Sequence, residues 1–194
     1  MKFKIIRSDI INVMIDAAIK GGGIALKSFA DNNSKLNITS KNSGECVTNL
    51  DFDIEESIIH FLSVQEPSYS FFTEEIYSTN NNANFDYRWI IDPIDGTFNF
   101  IRGNPNFGIS IALEKKSTGG FREIIASVIF LPMFNQLYWA EKGVGSFCIS
   151  KDYENRIYFS NQNNWKDLLL ASGESHTKHK RIILNLINNR GLQV

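Results

Sequence analysis

The stretch from Trp89 to Phe100 constrains this chain more than any other. An apolar run, Trp89-Ile90-Ile91, ends abruptly in two carboxylates, Asp92 and Asp95. Aromatic and β-branched residues favour a buried strand, and Pro93 cannot donate to a sheet ladder, so the strand is predicted to stop about there. The two carboxylates are therefore expected at the end of a strand, where charge can face a cleft and not a core.

These carboxylates predict a site for a hard cation. Mg²⁺ prefers a few carboxylate oxygens together with water and substrate phosphate. Asp95 and Gly96 turn the chain, and the glycine lets the backbone approach a ligand closely. The five residues of this Asp-Pro-x-Asp-Gly turn are equally consistent with a solvated connection between two strands, because such turns are common.

The composition excludes several classes of function. A chain of 194 residues can bury one sizeable core, or one core and part of a second. Its 20 Lys and Arg balance 21 Asp and Glu, so neither a nucleic-acid footprint nor a polybasic membrane patch is predicted. The longest apolar stretch, Ile124 to Leu131, is too short to span a bilayer. Isolated Cys46 and Cys148, and a start without a signal-peptide core, predict a soluble cytoplasmic protein.

Hydrophobic periodicity predicts two long helices near the start of the chain. The first covers residues 8–29 and contains three consecutive glycines at 21–23, so either another helix packs closely there or the helix is weak. Residues 35–45 are predicted as a polar loop. The second helix covers residues 49–63 and has acidic side chains in its first turns. Later segments predict strands at 69–73, 107–113, 124–130, 136–140, 157–159 and 168–171, then a helix at 177–189.

Acidic side chains recur at three positions along this predicted order. Asp51 lies at a helix start, Glu74 and Glu75 follow a strand, and Asp92 with Asp95 end another. Strand ends of one sheet commonly converge on a single cleft, so a shared site is one expectation. The residues alone favour simpler interpretations, with Asp51 as a helix-cap acid and the glutamates in a solvated loop.

The stretch from Trp89 to Phe100 resembles the metal-binding signature of the inositol monophosphatase family, Trp-Ile-x-Asp-Pro-x-Asp-Gly-Thr-x-Asn-Phe. Val47 to Asp51 is similar to the family's Val-Thr-x-x-Asp, and Thr73 to Glu75 to its Gly/Thr-Glu-Glu. The resemblance implies an α+β fold, the layered αβαβα sandwich of the inositol monophosphatase and sugar phosphatase type. Residues 1–150 would form its metal-binding half, and residues 151–194 the beginning of an incomplete C-terminal α/β half.

The resemblance also assigns metal ligands. Glu74 would ligate the first Mg²⁺, and Asp92 would bridge the first and second metals. The backbone carbonyl of Ile94 would complete the first site, and Asp95 would bind the second metal.

Further residues acquire roles in catalysis from the same resemblance. Gly96 and Thr97 would offer backbone N–H groups to the substrate phosphate. The Thr97 hydroxyl and Asp51 would be the catalytic pair that orients a metal-bound water for in-line attack. The implied activity is Mg²⁺-dependent hydrolysis of inositol monophosphates or similar small polyol and sugar phosphates. Phe98 and Asn99 follow Thr97 where Lys-Glu is typical of 3′,5′-bisphosphate nucleotidases, so that activity is the less favoured alternative.

The chain departs from the family pattern after Val194. Relatives continue with a Trp-Asp motif, whose carboxylate ligates the second metal, and a Gly-Ser-Ala-Ala segment. We therefore expect weak binding of the second Mg²⁺ and low activity, unless a second polypeptide supplies the missing ligand. Relatives are usually homodimers. A further alternative is a catalytically impaired binding protein associated with the transcription machinery, as some bacterial relatives are.

Overall fold

The computed structural model describes residues 7–31, 36–40, 46–76 and 85–158. Within these ranges the chain forms two long helices, a two-stranded sheet and a seven-stranded sheet. No helix in the described ranges is long and apolar enough to cross a membrane.

The first helix, α1, runs Asp9–Ala30 and confirms the prediction for residues 8–29. It begins where the Ser8 side chain accepts a hydrogen bond from the backbone N–H of Ile11 at 3.4 Å. Gly21 and Gly22 mark close packing, and at Gly21 the neighbour is another helix, one of the two predicted explanations. A Cβ on Gly21 would meet side-chain carbons of Ile54 and Ile58 on the second helix at 2.9–3.3 Å.

The second helix, α2, runs Asn49–Gln65 and is also confirmed. Its first turn forms a capping box. The Thr48 side chain accepts a hydrogen bond from the Asp51 N–H, and the Asp51 carboxylate accepts one from the Thr48 N–H. Ile54, Ile58 and Leu62 are completely buried and face α1 and the main sheet. These positions follow the helical period, which is why the sequence predicted the helix correctly.

The predicted polar loop at residues 35–45 is wrong in part. Strand β1, Ile38–Ser40, pairs antiparallel with β2, Cys46–Thr48, directly before α2. All three β1 residues are exposed, so the strand lacks the alternation of apolar and polar residues that signals a half-buried strand. Its backbone pairing with β2 stabilises it, and a local pattern does not reveal such pairing.

The main sheet carries the candidate site at one end. Its strands follow the order β3 to β9, with β3 parallel to β4 and every other neighbouring pair antiparallel. The strands are β3 Ser70–Thr73, β4 Tyr87–Asp95, β5 Gly108–Lys116, β6 Arg122–Leu131, β7 Gln136–Glu141, β8 Gly145–Ser150 and β9 Tyr153–Ile157. A short helix, α3, Thr97–Ile101, follows β4.

Strand β4 corrects the expectation that Pro93 ends the strand. It continues to Asp95, and its pairing with β5 shifts register between Asp92 and Asp95. Strand β3 ends opposite Ile91, so no donor from Pro93 is required on that side. Proline is tolerated where a strand is irregular or has a free side, which explains the extra length.

The last described strands were not predicted as such. Strands β8 and β9 form a hairpin, and of the predicted strand 157–159 only Ile157 belongs to β9. Residues 153–157 pair with β8 as the last described strand of the main sheet. The predicted strand 168–171 and helix 177–189 lie outside the described residues, and the division at residue 150 stays a prediction.

Packing between α1 and the sheet generates a testable contrast between neighbouring glycines. A Cβ on Gly22 would overlap the ring of Phe130, a residue of β6 that is 7% exposed. We expect Gly22→Ala to lower the free energy of unfolding by about 1–3 kcal/mol through overpacking.

Gly23→Ala is the matched control, because a Cβ there meets nothing within 4 Å and the position is exposed. We expect it to stabilise the chain by up to about 1 kcal/mol through helix propensity. Urea denaturation measures both, and equal midpoints for the two variants would contradict the packing described for α1.

Candidate active site

Two acidic residues meet because β3 and β4 run parallel. Thr73 lies opposite Ile91, so the next residues along each strand, Glu74 and Asp92, are neighbours. The backbone N–H of Glu74 donates to the carbonyl of Ile91 at 3.2 Å. The expectation that acidic strand ends converge is confirmed for this pair.

Among the acidic residues of the site, Asp92 has the surroundings that most disfavour its ionised form. Its Oδ1 is buried, and among the described residues nothing donates a hydrogen bond to it. Burial, followed by the nearby charges of Glu74 and Asp95, raises the pKa of Asp92 to about 8. A carboxyl group in this position favours its neutral form unless a positive charge is supplied.

The residues after Asp92 turn the chain into α3. The side chain of Ile94 is buried, whereas that of Asp95 is exposed. Gly96 has φ of 92°, a left-handed conformation that favours glycine, and it caps α3 without a side-chain hydrogen bond. The turn expected at Asp95 and Gly96 is therefore present.

Asp51 and Thr97, which are far apart in sequence, contact each other in the site. The Thr97 hydroxyl lies 3.2 Å from Oδ1 of Asp51 and 2.9 Å from the carbonyl oxygen of Ile94. The second oxygen of Asp51 accepts hydrogen bonds from the Thr48 N–H at 2.8 Å and its hydroxyl at 2.6 Å. Asp51 is thus both the helix-cap acid and the neighbour of Thr97, and the two interpretations are compatible.

The environment of Asp51 disfavours its charge. Its side chain is 1% exposed, and burial raises the pKa of its carboxyl above the usual value. Hydrogen bonds from Thr48 and Thr97 act in the opposite direction, because they stabilise the carboxylate.

The three proposed carboxylate ligands are not assembled into one cluster. In the described part of the chain, no three His, Cys, Asp or Glu side chains are arranged to hold a metal ion. Glu74 and Asp95 act on the charge of Asp92, but both side chains are exposed. The roles of Ile94, Gly96 and the other site residues stay predictions.

Sequence reasoning missed Glu55, which it treated only as an acidic residue early in α2. Glu55 is completely buried and accepts hydrogen bonds from the segment around Glu74. A signal was available, because Glu55 follows Asp51 by four residues and precedes Ile58 by three. It therefore lies on the apolar stripe of the helix, where an acidic residue calls for buried partners.

The stress on Asp92 predicts a pH-dependent stability in the presence of a chelator. Between the ordinary carboxyl pKa of 3.8 and about 8, the folded chain retains a proton that the unfolded chain releases. The free energy of unfolding should therefore fall as the pH rises from 4 to 9. Asp92→Asn removes this titration and should raise the Tm at pH 9 by at least about 3 °C, with little gain at pH 5.

Thermal unfolding followed by circular dichroism measures this effect, and Asp16→Asn, an exposed carboxylate of α1, is the control. The same pH dependence in the wild type and in Asp92→Asn would show that Asp92 is not under stress.

Comparison with known sequences places these residues in a family. The inositol monophosphatase family model matches residues 6–190. The chain is 34% identical over 170 residues to an inositol-1-monophosphatase of Mesorhizobium japonicum, covering 88% of this chain and 60% of that protein. It is 32% identical over 163 residues to a Nus factor SuhB of Pasteurella multocida, covering 84% of this chain and 57% of that protein.

A solved structure shows the same architecture. The extragenic suppressor protein suhB of Bartonella henselae is similar with a TM-score of 0.78 and 32% identity, covering 95% of this chain and 68% of that one. The expected layered α+β fold is thereby confirmed. The chain spans 60% and 57% of the length of the two curated relatives above. From the family model, the identities and the shared fold, we conclude that this chain belongs to the inositol monophosphatase family.

Proposed function

We propose that this chain is the metal-binding part of a Mg²⁺-dependent phosphomonoesterase acting on inositol monophosphates or similar small polyol and sugar phosphates. The observation that supports it best is Asp92, a carboxylate with an unpartnered buried oxygen beside two further acids. Its position inside the stretch that resembles the family's metal signature, and family membership itself, support the same reading.

The residues present fit a divalent cation by their chemistry. Hard oxygen donors suit Mg²⁺, and a cation would offset the like charges that raise the pKa of Asp92. Glu74, Asp92, Asp95 and the Ile94 carbonyl would hold it. When bound, Mg²⁺ supplies a water of lowered pKa and neutralises charge on phosphoryl oxygens.

The chain's own groups would then orient the reactants. Because the Thr97 hydroxyl donates its hydrogen to Asp51 Oδ1, the lone pairs of the Thr97 oxygen would accept a hydrogen bond from a water. The backbone N–H groups of Gly96 and Thr97 would be offered to the substrate phosphate. The buried Asp51 carboxylate holds this arrangement through its bonds to Thr48.

We also propose that the active protein is a homodimer or includes a complementing polypeptide. The resemblance implies these partners, and the chain spans 60% of the length of the Mesorhizobium relative.

Phosphate release from inositol 1-phosphate tests the proposed activity. We expect hydrolysis that requires Mg²⁺, falls at least about 100-fold in Asp92→Asn, and exceeds hydrolysis of adenosine 3′,5′-bisphosphate. Asp16→Asn should retain the wild-type rate. Calorimetry with Mg²⁺ supplies a second measurement, and a wild-type chain that neither binds Mg²⁺ nor hydrolyses the substrate would refute the proposal.

The Thr97 hydroxyl yields a separate prediction. Thr97→Val removes the group that Asp51 orients, so kcat should fall by about 10²–10⁴-fold while Mg²⁺ affinity changes little. Thr97→Ser keeps the hydroxyl and should retain most of the activity. Steady-state kinetics distinguish these outcomes, and equal kcat values for the two variants would exclude a role for the hydroxyl.

A further inference from the structure

Glu55 is a carboxylate that the proposed chemistry does not use directly, yet it lies entirely inside the fold. Its exposed fraction is 0%. Burying a carboxylate costs several kcal/mol unless hydrogen bonds replace its water. The partners of Glu55 therefore indicate what its burial achieves.

Three hydrogen bonds to Glu55 come from one short segment. Its Oε1 accepts from the Thr73 hydroxyl and from the backbone N–H of Ile76 at 2.7 Å, and its Oε2 accepts from the N–H of Glu75 at 3.0 Å. These donors lie immediately before and after Glu74. Both oxygens of the carboxylate are thus used to fix the backbone around that residue.

Glu74 itself is held on its other side by the sheet. Its N–H donates to Ile91 on β4 at 3.2 Å, while its side chain is exposed. The backbone of this residue is therefore fixed from both sides, by α2 and by β4. The place of its carboxylate next to Asp92 depends on these two supports.

We propose that Glu55 is a positioning residue, whose buried carboxylate fixes residues 73–76 so that Glu74 is presented beside Asp92 as a cation ligand. The inference rests on the proposed function, since the ligand role of Glu74 comes from it. Glu55 contacts neither the cation nor the substrate and acts only through the segment that it binds.

Glu55→Gln tests the inference with little change in shape. One carboxylate oxygen becomes an NH₂ group, which then faces a donor from Thr73, Glu75 or Ile76 and cannot accept from it. We expect Mn²⁺ affinity, measured by electron paramagnetic resonance of the free ion, to fall about 10–100-fold. Amide hydrogen exchange at Glu75 and Ile76 in the metal-free chain should be at least tenfold faster, with the sheet amides of β5 and β6 unchanged.

Glu56→Gln is the matched control, because it makes the same change on the neighbouring, exposed position of α2. It should leave both measurements at wild-type values. Wild-type Mn²⁺ affinity and unchanged exchange in Glu55→Gln would overturn the inference. Failure of the wild-type chain to bind Mn²⁺ would instead contradict the proposed function.

A second pair of variants keeps the test valid if Glu55→Gln folds poorly. Thr73→Val removes one of the three donors and should weaken Mn²⁺ binding roughly fivefold, whereas Thr73→Ser retains the hydroxyl and should bind as the wild type does. Equal affinity for Thr73→Val and Thr73→Ser would also overturn the inference.

Discussion

The site depends on two buried carboxylates that lie one turn apart on α2. Asp51 and Glu55 are 1% and 0% exposed, so each must find hydrogen-bond donors inside the protein. Asp51 finds them at Thr48 and Thr97, and Glu55 finds them in the segment after β3. Helix α2 thereby fixes both the start of α3, at Thr97, and the segment 73–76 that contains Glu74.

The sheet supplies the complementary constraint. Parallel pairing of β3 with β4 makes Glu74 and Asp92 neighbours, and the register shift in β4 carries the chain past Pro93 to Asp95. The result is a concentration of negative charge at one sheet end, with Asp92 least stabilised by its surroundings. Carboxyl groups whose pKa is strongly shifted by burial and like charges are common at functional sites.

Much of this arrangement was predictable from the sequence, and the exceptions have physical causes. The stripe of isoleucines on α2 and the end of β3 just before Glu74 follow local periodicity, so their placement was predicted correctly. Strand β1 depends on backbone pairing with β2 and not on a pattern within its own residues, and the passage of β4 through Pro93 depends on where β3 ends. Glu55 was missed because it was counted only among the acidic side chains in the first turns of the helix, whereas its role depends on tertiary partners.

The double contact of Asp51 has one further consequence. Because the same carboxylate caps α2 and contacts the Thr97 hydroxyl, fraying of the first helical turn would withdraw the acceptor from Thr97. The first turn of α2 and the Thr97 hydroxyl would therefore become ordered or disordered together, in one local opening of the structure. Substitutions that loosen the beginning of α2, even on its solvent side, would disturb the hydroxyl without touching it.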